Sequence, residues 1–142
     1  MYRVYNGYVE GVGGTSNIGN VIVPPASLVA AFGKPGESDE HKVSGEWTFI
    51  HQATETVFTL YDWKATSLYD DSLITPEEFW ANTVPRHINI GGVVGGKVGV
   101  EQFKRDILNH IRWIKVDKPF EQAVLGYKEP ISELFIVEST KS

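Results

Sequence analysis

The sequence predicts a single α+β domain, in which an antiparallel β-sheet packs against one long helix and two or three short ones. Three observations support this fold class: several stretches alternate between apolar and polar residues, one stretch has helical periodicity, and the predicted strands fall into hairpins rather than regular βαβ units. The chain has 142 residues, the length of one ordinary domain. We expect residues 1–114 to form the main sheet and helix core, and residues 115–142 to form a C-terminal extension that is a candidate oligomer contact.

Two hairpins are predicted in the first half of the chain. Tyr2–Tyr5 and Tyr8–Glu10 flank Asn6-Gly7, a dipeptide typical of the type I′ turn of a tight hairpin. Residues 42–49 alternate with period two, and residues 56–64 carry apolar groups on both sides, which is typical of a central strand. These last two stretches are therefore expected to form a second, longer antiparallel hairpin.

Shorter strands are predicted elsewhere, and residues 11–20, which are rich in Gly, Ser, Thr and Asn, predict a loop. The short strands are Val21–Val23, His87–Ile90 and the strand-like tail Ile131–Val137. We expect the tail strand to be exposed, and an exposed strand edge is a candidate for pairing between the subunits of a homo-oligomer.

The helices are predicted from their start and stop signals. Residues 26–32 lie between a proline that suits a first turn and a glycine that suits a helix end. Residues 75–78 read as a capping box with proline at the first helical position, so a short helix begins there. Residues 100–113 place apolar side chains at steps of three or four and predict the longest helix. Another short helix is expected at residues 120–125.

Composition excludes several classes of protein. The chain has no Cys, which excludes a disulfide framework, a zinc ribbon and a thiol nucleophile. The formal net charge of −5 argues against a DNA or RNA duplex as partner, because such binders carry a basic excess. No apolar run approaches the roughly 20 residues of a membrane span, and the first residues lack the apolar run of a signal peptide. We therefore expect a soluble, cytoplasmic protein without a membrane partner.

The stretch from Gly91 to Val98 is close to a phosphate-binding P-loop. It departs from the GxxxxGK[ST] signature only at the last position, and a predicted strand and a predicted helix flank it. The glycine amides of such a loop surround phosphate oxygens, and the lysine supplies positive charge. Val98 lacks the hydroxyl that binds Mg²⁺, and too little chain follows Lys97 to build the parallel sheet of an NTPase. Nucleotide hydrolysis is therefore rejected, and two interpretations stay open: a flexible connection or an anion-binding loop.

A second candidate is the string Tyr61-Asp62-Trp63-Lys64, at the end of the predicted central strand. An aromatic ring stacked on a nucleotide base contributes about 1–3 kcal/mol per base. Lys64 is a candidate phosphate ligand, and Asp62 is a candidate acceptor for a ribose hydroxyl. The alternative is that Trp63 belongs to the core and that Asp62 and Lys64 form a surface ion pair of little energetic value. The sequence leaves both interpretations open.

Residues around the glycine loop extend this candidate site. Phe79 and Trp80 share the short capped helix, where we expect one ring in the core and the other lining a pocket. His87 and Asn89 lie two positions apart on a predicted strand and so face the same side. Five cations surround the loop in sequence, and a phosphate site requires them to cluster in space: Lys64, Arg86, Lys97, Lys104 and Arg105. The complete candidate ligand site comprises Tyr61, Asp62, Trp63, Lys64, Phe79, Trp80, Arg86, His87, Asn89, Gly91, Gly92, Gly95, Gly96, Lys97 and Arg105.

No catalytic or metal site is predicted. The four His residues lack a metal-ligand spacing such as HxxxH, and the sequence has no GxSxG nucleophile elbow. The paired carboxylates Asp70-Asp71 and Glu77-Glu78 fall in a predicted turn and a helix cap. We therefore expect no metal, no cofactor and no catalytic residue, and a protein that binds its ligand without being an enzyme.

Part of the chain resembles small phage-encoded proteins. The shared pattern runs in the order GEW, YDWK, FW and HxxIGG, which stand at residues 45–47, 61–64, 79–80 and 87–92. The resemblance covers about residues 25–113 and leaves out Gly95-Gly96-Lys97 and the tail. Small phage proteins of this kind include nucleotide sponges of the anti-Thoeris and anti-CBASS type, which sequester cyclic ADP-ribose-like or cyclic-oligonucleotide signals without cleaving them.

The resemblance implies an anti-defence protein that serves immune evasion in the host-cell cytoplasm. Such a protein binds a nucleotide-derived small molecule and is expected to be a homo-oligomer. The resemblance does not assign ligand-binding residues one by one. Two alternatives stay open: an inhibitor of a host defence protein, whose basic surface would meet the Asp70-Asp71 loop, and a small phosphodiesterase with His87 or His51 as general acid–base.

Overall fold

A computed structural model of the chain describes residues 1–7, 9, 16–36, 42–93, 96–115 and 134–138, with the backbone alone described for 112–115. Within these ranges the chain forms six strands: β1 (Tyr2–Asn6), β2 (Ser16–Val23), β3 (Glu46–His51), β4 (Val57–Tyr61), β5 (Arg86–Gly92) and β6 (Phe135–Val137). The same ranges contain three helices: α1 (Pro25–Phe32), α2 (Pro76–Trp80) and α3 (Val100–Lys115).

All six strands form one sheet in the order β2-β5-β4-β3-β1-β6. The pairing is antiparallel throughout, except that β1 and β6 run parallel. The predicted hairpin of residues 42–64 is confirmed as β3 and β4, and β4 is a central strand with a neighbour on each side. The prediction of a single α+β domain with a mostly antiparallel sheet is confirmed.

The core lies between one face of the sheet and the helices. Phe58 of β4 stacks on Phe103 of α3, with the ring centroids 4.2 Å apart and the planes 8° apart. On α1, Phe32 packs edge-on against Trp47 and Phe49 of β3. Burial of each large apolar side chain of this kind stabilises the fold by roughly 1.5–3 kcal/mol. The largest fully buried side chains are Trp47, Tyr2, Phe32, Phe49, Phe58 and Phe103.

The opposite face of the sheet, called the outer face below, carries the alternate residues of each strand. Along β5 the core residues Ile88 and Ile90 are fully buried, whereas His87 and Asn89 point to the outer face. Cross-strand register places Asn20 of β2, Asn89 of β5 and Tyr61 of β4 in one row on that face. The outer face is therefore polar where the core face is aromatic.

The structure contains the helices that the sequence predicts for the described residues. Thr75 accepts a hydrogen bond from the Glu78 backbone N–H at 3.1 Å, and the Glu78 carboxylate accepts one from the Thr75 N–H at 3.0 Å, which completes the predicted capping box. The predicted helix at 26–32 is α1, and Gly33 ends it with φ of +85°, a conformation that suits glycine. The predicted helix at 100–113 lies within α3.

Three predictions about strands need correction. The tight hairpin around Asn6-Gly7 is wrong, because β3 and β6 occupy both edges of β1 and leave no edge at Val4 for Val9. Residues 16–20, predicted as loop, belong to β2, because pairing with β5 stabilises a stretch with weak local strand preference. Residues 42–45 precede β3 rather than forming its start.

The C-terminal predictions lie partly outside the described residues. The predicted tail strand is present as β6 at residues 135–137, where it pairs with β1 of the same chain. Residues 131–133 and the predicted helix at 120–125 fall outside the part of the chain that the structure describes.

Candidate functional site

A buried carboxylate organises the end of β4. Asp62 is 1% exposed, and its Oδ1 accepts hydrogen bonds from the backbone N–H groups of Ser44 at 2.8 Å and Gly45 at 2.9 Å. Its Oδ2 accepts a third bond from the Ser44 hydroxyl at 2.7 Å. Burial raises the pKa of Asp62, and these hydrogen bonds oppose the rise. Asp62 therefore fixes the segment before β3, and the prediction that it accepts a ribose hydroxyl is wrong because the carboxylate is enclosed.

Two exposed aromatic rings and two lysines lie together near the end of β4. We call these residues, Trp63, Tyr69, Lys42 and Lys64, the Trp63 cluster. The Nζ atoms of Lys42 and Lys64 lie 5.7 and 5.6 Å from the centroid of the Trp63 ring. The Lys64 Nζ also lies 5.1 Å from the centroid of the Tyr69 ring. These distances are those of cation–π contacts. Trp63 is 47% exposed and Tyr69 is 39% exposed, so the interpretation of Trp63 as a core residue is wrong.

The backbone around Lys64 holds this arrangement. Lys64 has φ of +57°, in the left-handed region that non-glycine residues rarely adopt. Its N–H donates to the Lys42 carbonyl at 2.7 Å, so the two lysine-bearing segments are tied together. Asp62 and Lys64 form no ion pair with each other, which also excludes the predicted surface pair. The local chain path therefore places both lysines beside one indole.

The segment that carries Tyr69 is a loop closed by hydrogen bonds between its own residues. The Ser67 N–H donates to the Ile74 carbonyl at 2.7 Å, which brings the ends of the loop together. Inside it, Asp70 Oδ1 accepts from the N–H and the hydroxyl of Ser72, and these bonds lower the pKa of Asp70. Leu68 and Leu73 are 40% and 38% exposed on this loop. The loop thus presents apolar side chains from a fixed backbone.

A polar group lies nearby on the outer face. His87 and Asn89 share this face as predicted, and Asn89 lies opposite Tyr61 across the β4–β5 ladder. Asn20 Oδ1 is 3.3 Å from His87 Nδ1, and Asn17 donates to the Tyr61 hydroxyl at 3.4 Å. The sequence interpretation missed Asn17 and Asn20 because it treated residues 11–20 as loop. The alternation of polar Asn20 and apolar Val21 was the available signal.

The capped helix contributes to a separate cleft on the core side. Phe79 is 2% exposed and Trp80 is 8% exposed, so both rings are buried. Trp80 also lines a cleft of about 350 Å³, and its Nε1–H donates to the Ser44 hydroxyl at 3.2 Å. Of the two rings, Trp80 and not Phe79 lines the cleft. Its walls are formed by Val29, Lys34, Pro35, Ser44, Pro76, Glu77 and Trp80.

The first two glycines of the glycine stretch belong to the end of β5. Gly91 and Gly92 are the last residues of β5, which has β2 on one side and β4 on the other, so its amides serve the sheet ladders. A Cβ on Gly92 would lie 2.5 Å from Ile18 Cδ1, so a larger residue there would displace the end of the Ile18 side chain. The Gly96 N–H donates to the Val93 carbonyl at 3.3 Å. Gly95 lies outside the described residues.

The predicted cations do not converge on one point. Gly96 lies beside Thr56, at the start of β4, whereas Trp63 lies beyond the other end of that strand. At about 3.3 Å per residue, Lys97 and the Trp63 cluster are roughly 20 Å apart. Arg86 is exposed at the start of β5, at the Trp63 end of the sheet. The structure therefore places Lys64 and Lys97 near opposite ends of β4.

Lys104 and Arg105 of α3 each have a partner on their own helix. Arg105 donates to Gln102 Oε1 at 2.8 Å, and Lys104 Nζ lies 3.8 Å from Glu101 Oε2. Both contacts join residues three positions apart, as is usual on an exposed helix surface. Arg105 thus belongs to the helix surface, and the structure does not bring it to the Trp63 cluster.

Across the described residues, no group of three or more His, Cys, Asp or Glu side chains is placed to hold a metal ion. In the same part of the chain, none of the helices combines the length and the apolar character needed to cross a membrane. The sequence matches no protein-family model, and it has no match among curated proteins.

Proposed function

We propose that this protein binds and sequesters a phosphorylated, base-containing small molecule at the Trp63 cluster, without cleaving it. The supporting observation is the position of the Lys42 and Lys64 ammonium groups beside two exposed rings, Trp63 and Tyr69. The ligand class is that of cyclic ADP-ribose-like or cyclic-oligonucleotide signals. The resemblance to phage-encoded sponges supports an anti-defence role for such binding.

Two members of the Trp63 cluster match two parts of a nucleotide, the base and the phosphate. A base stacked on the Trp63 indole contributes about 1–3 kcal/mol. The Lys64 ammonium, now 5.6 Å from that ring, reaches a phosphate through rotation of its flexible side chain. Charge-assisted hydrogen bonds to phosphate are about twice as strong as neutral ones. Two ammonium groups thus lie beside the stacking ring in a chain whose formal net charge is −5.

The support beneath the cluster favours tight binding. Asp62 makes three hydrogen bonds to the segment that carries Lys42, and the loop that carries Tyr69 is closed by its own backbone bonds. A pre-ordered site loses less conformational entropy when a ligand binds. Such a site suits a protein that stores a signal at low concentration.

The chemistry of the cluster favours storage over cleavage. Its members are an indole, a phenol and two ammonium groups, and the adjacent Asp62 carboxylate is enclosed and hydrogen-bonded. Phosphodiester cleavage by a side chain needs a general base in reach of the attacking group. The alternative of a phosphodiesterase requires His87 or His51, and His51 Nδ1 is 2.9 Å from the Thr54 hydroxyl.

Incubation with a panel of cyclic nucleotides, followed by heat release and mass spectrometry, tests this proposal. We expect a signal to be depleted from solution and recovered intact after heating. Recovery of a cleaved product would overturn storage in favour of the phosphodiesterase. Absence of depletion across the panel would overturn nucleotide binding altogether.

A matched pair of lysine variants tests the location of the site. Lys64→Ala removes an ammonium from the Trp63 cluster, and Lys97→Ala removes one at the opposite end of β4. Both lysines are exposed. We expect Lys64→Ala and Trp63→Ala to weaken depletion at least about tenfold, the equivalent of losing roughly 1.4 kcal/mol, and Lys97→Ala to deplete like wild type. Loss in Lys97→Ala alone would move the site to the glycine stretch.

A second candidate function is inhibition of a host defence protein through the loop between Ser67 and Ile74. The specific observation is that Leu68 and Leu73 are exposed on the loop that also carries Tyr69. Fixed apolar and aromatic side chains are typical of protein interfaces. A Leu68→Ala/Leu73→Ala variant separates the two functions. Nucleotide depletion should survive this change, whereas binding to a protein partner should be lost.

A further inference from the structure

The two edge strands of the sheet differ in length and charge. At one edge, β6 has three residues, and Glu138 directly after it lies 3.7 Å from Arg3 of β1. At the other edge, β2 has eight residues, Ser16–Val23, with neither a charged residue nor a proline. Short strands and charged residues are the usual protection of a sheet edge against pairing. The β6 edge has this protection, and the β2 edge lacks it.

Among the described residues, the outer backbone edge of β2 has no partner strand. Apart from its ladder with β5, no backbone hydrogen bond joins Ser16–Val23 to another residue in the described ranges. The register shift at Asn17/Gly19 disturbs the first residues of the strand and leaves Gly19–Val23 regular. Ile22 of this regular stretch is 55% exposed on the outer face. A regular, uncharged strand edge with an exposed isoleucine is a template for another strand.

We propose that β2 pairs antiparallel with β2 of a second copy of this chain, which joins the two sheets into one. An antiparallel pair of identical strands is related by a two-fold axis, so each unpaired N–H of one copy meets an unpaired C=O of the other. The edge carries no charge that selects a partner of opposite charge or repels an identical strand. In the register centred on Val21, Ile22 of each copy covers Asn20 of the other.

This arrangement extends the polar outer face across the axis. His87 lies opposite Ile22 in the β2–β5 ladder, and its Nδ1 contacts Asn20 at 3.3 Å. The dimer places two such His87–Asn20 pairs on one continuous surface, with the isoleucines between them. The inference concerns assembly and stands whether or not the Trp63 cluster binds a nucleotide.

Light scattering coupled to size-exclusion chromatography, with a matched pair of edge variants, tests the proposal. Ile22→Lys and Ile136→Lys place the same charge on the outer face of the two opposite edge strands, where the isoleucines are 55% and 40% exposed. We expect wild type and Ile136→Lys to be dimers and Ile22→Lys to be a monomer. Circular dichroism checks that each variant is folded.

Hydrogen exchange by mass spectrometry gives a second readout on the unmodified protein. We expect the amides of residues 16–23 to gain protection as the protein concentration rises through the dimer transition. A wild-type monomer at every soluble concentration, or a dimer that Ile136→Lys dissociates and Ile22→Lys does not, would overturn the proposal. Protection confined to residues 135–137 would overturn it as well.

Discussion

The two ends of β4 carry the same unusual backbone conformation in different surroundings. Glu55 precedes the strand with φ of +61°, and Lys64 follows it with φ of +57°. The Glu55 N–H donates to the His51 carbonyl at 2.6 Å, so the left-handed residue closes the turn of the β3–β4 hairpin. At the other end, Lys64 lies among Trp63, Tyr69 and Lys42. A left-handed backbone conformation alone is therefore not evidence of a functional site. The evidence comes from the side chains that surround the residue.

The largest effect on stability is expected from removing the Asp62 carboxylate, which supports only the Lys64 end of β4. Asp62→Ala leaves the buried N–H groups of Ser44 and Gly45 without their acceptor, and each such group costs about 1–3 kcal/mol. We expect the free energy of unfolding to fall by about 3 kcal/mol in a urea titration. Depletion of the nucleotide signal should weaken as well, because the segment that carries Lys42 loses its anchor.

An exposed aspartate on the neighbouring loop provides the control. Asp70→Ala removes hydrogen bonds to Ser72 at the surface, so its urea midpoint should shift much less than that of Asp62→Ala. Equal shifts for the two variants would contradict the structural role assigned to Asp62.

A smaller effect is expected from a methyl group added beside the same network. A Cβ on Gly45 would lie 2.8 Å from Pro35 Cγ and 2.9 Å from Trp80 Nε1, so Gly45→Ala forces a ring to move. Overpacking of this kind costs about 1–3 kcal/mol. Gly99→Ala is the matched control, since a Cβ there has no neighbour within 4 Å. A melting temperature for Gly45→Ala equal to that of Gly99→Ala would show that the loop adjusts without cost.

Glycine substitutions at the two left-handed residues sharpen the comparison directly. Left-handed backbone costs a non-glycine residue about 1–2 kcal/mol, and the entropy of an added glycine in the unfolded chain offsets part of the gain. We expect Glu55→Gly and Lys64→Gly each to stabilise the fold by up to about 1 kcal/mol in thermal unfolding. Only Lys64→Gly should also weaken nucleotide depletion. Weakening in both variants would mean that the hairpin turn also contributes to the site.

The smallest expected effect is a pH dependence that belongs to Asp62. Burial raises its pKa above the ordinary value of 3.8, so the folded protein holds the proton more tightly than the unfolded chain does. The contribution of Asp62 to stability is therefore full below 3.8 and falls as the pH rises through the folded pKa. Relative to Asp62→Asn, wild type should lose stability as the pH rises in this acidic range. The opposite slope in urea titrations would mean that the hydrogen bonds outweigh burial.

Sequence predicts the elements whose signals are local. The capping box at Thr75 and Glu78 and the alternation in β3 and β4 depend on neighbours within a few residues, and the structure reproduces them. Asn6-Gly7 is an equally local signal, yet β3 and β6 displace the predicted hairpin. The extra length of β2 comes from pairing with β5, which no local pattern reports.

Less of the candidate site than of the fold can be predicted from the sequence, for a physical reason. Strand periodicity does not reveal where β4 stops, so the burial of Asp62 and the exposure of Trp63 depend on a turn that the pattern did not mark. The order of residues in the sequence also groups Lys64 with Lys97 in one cation cluster, but in the structure the length of β4 separates them. Closeness in sequence is a poor guide to closeness in space once an extended strand lies between two residues.

The parallel pairing of β1 with β6 has a consequence for the time course of synthesis. It joins Val4 to Val137, so one side of the first strand has no partner until nearly the whole described chain has been made. At about 5–20 residues per second, that interval is on the order of ten seconds. During it, the nascent chain exposes Tyr2–Val4 to any other unpaired strand nearby. The synthesis of β6 thus determines when this side of β1 is protected from pairing with another chain.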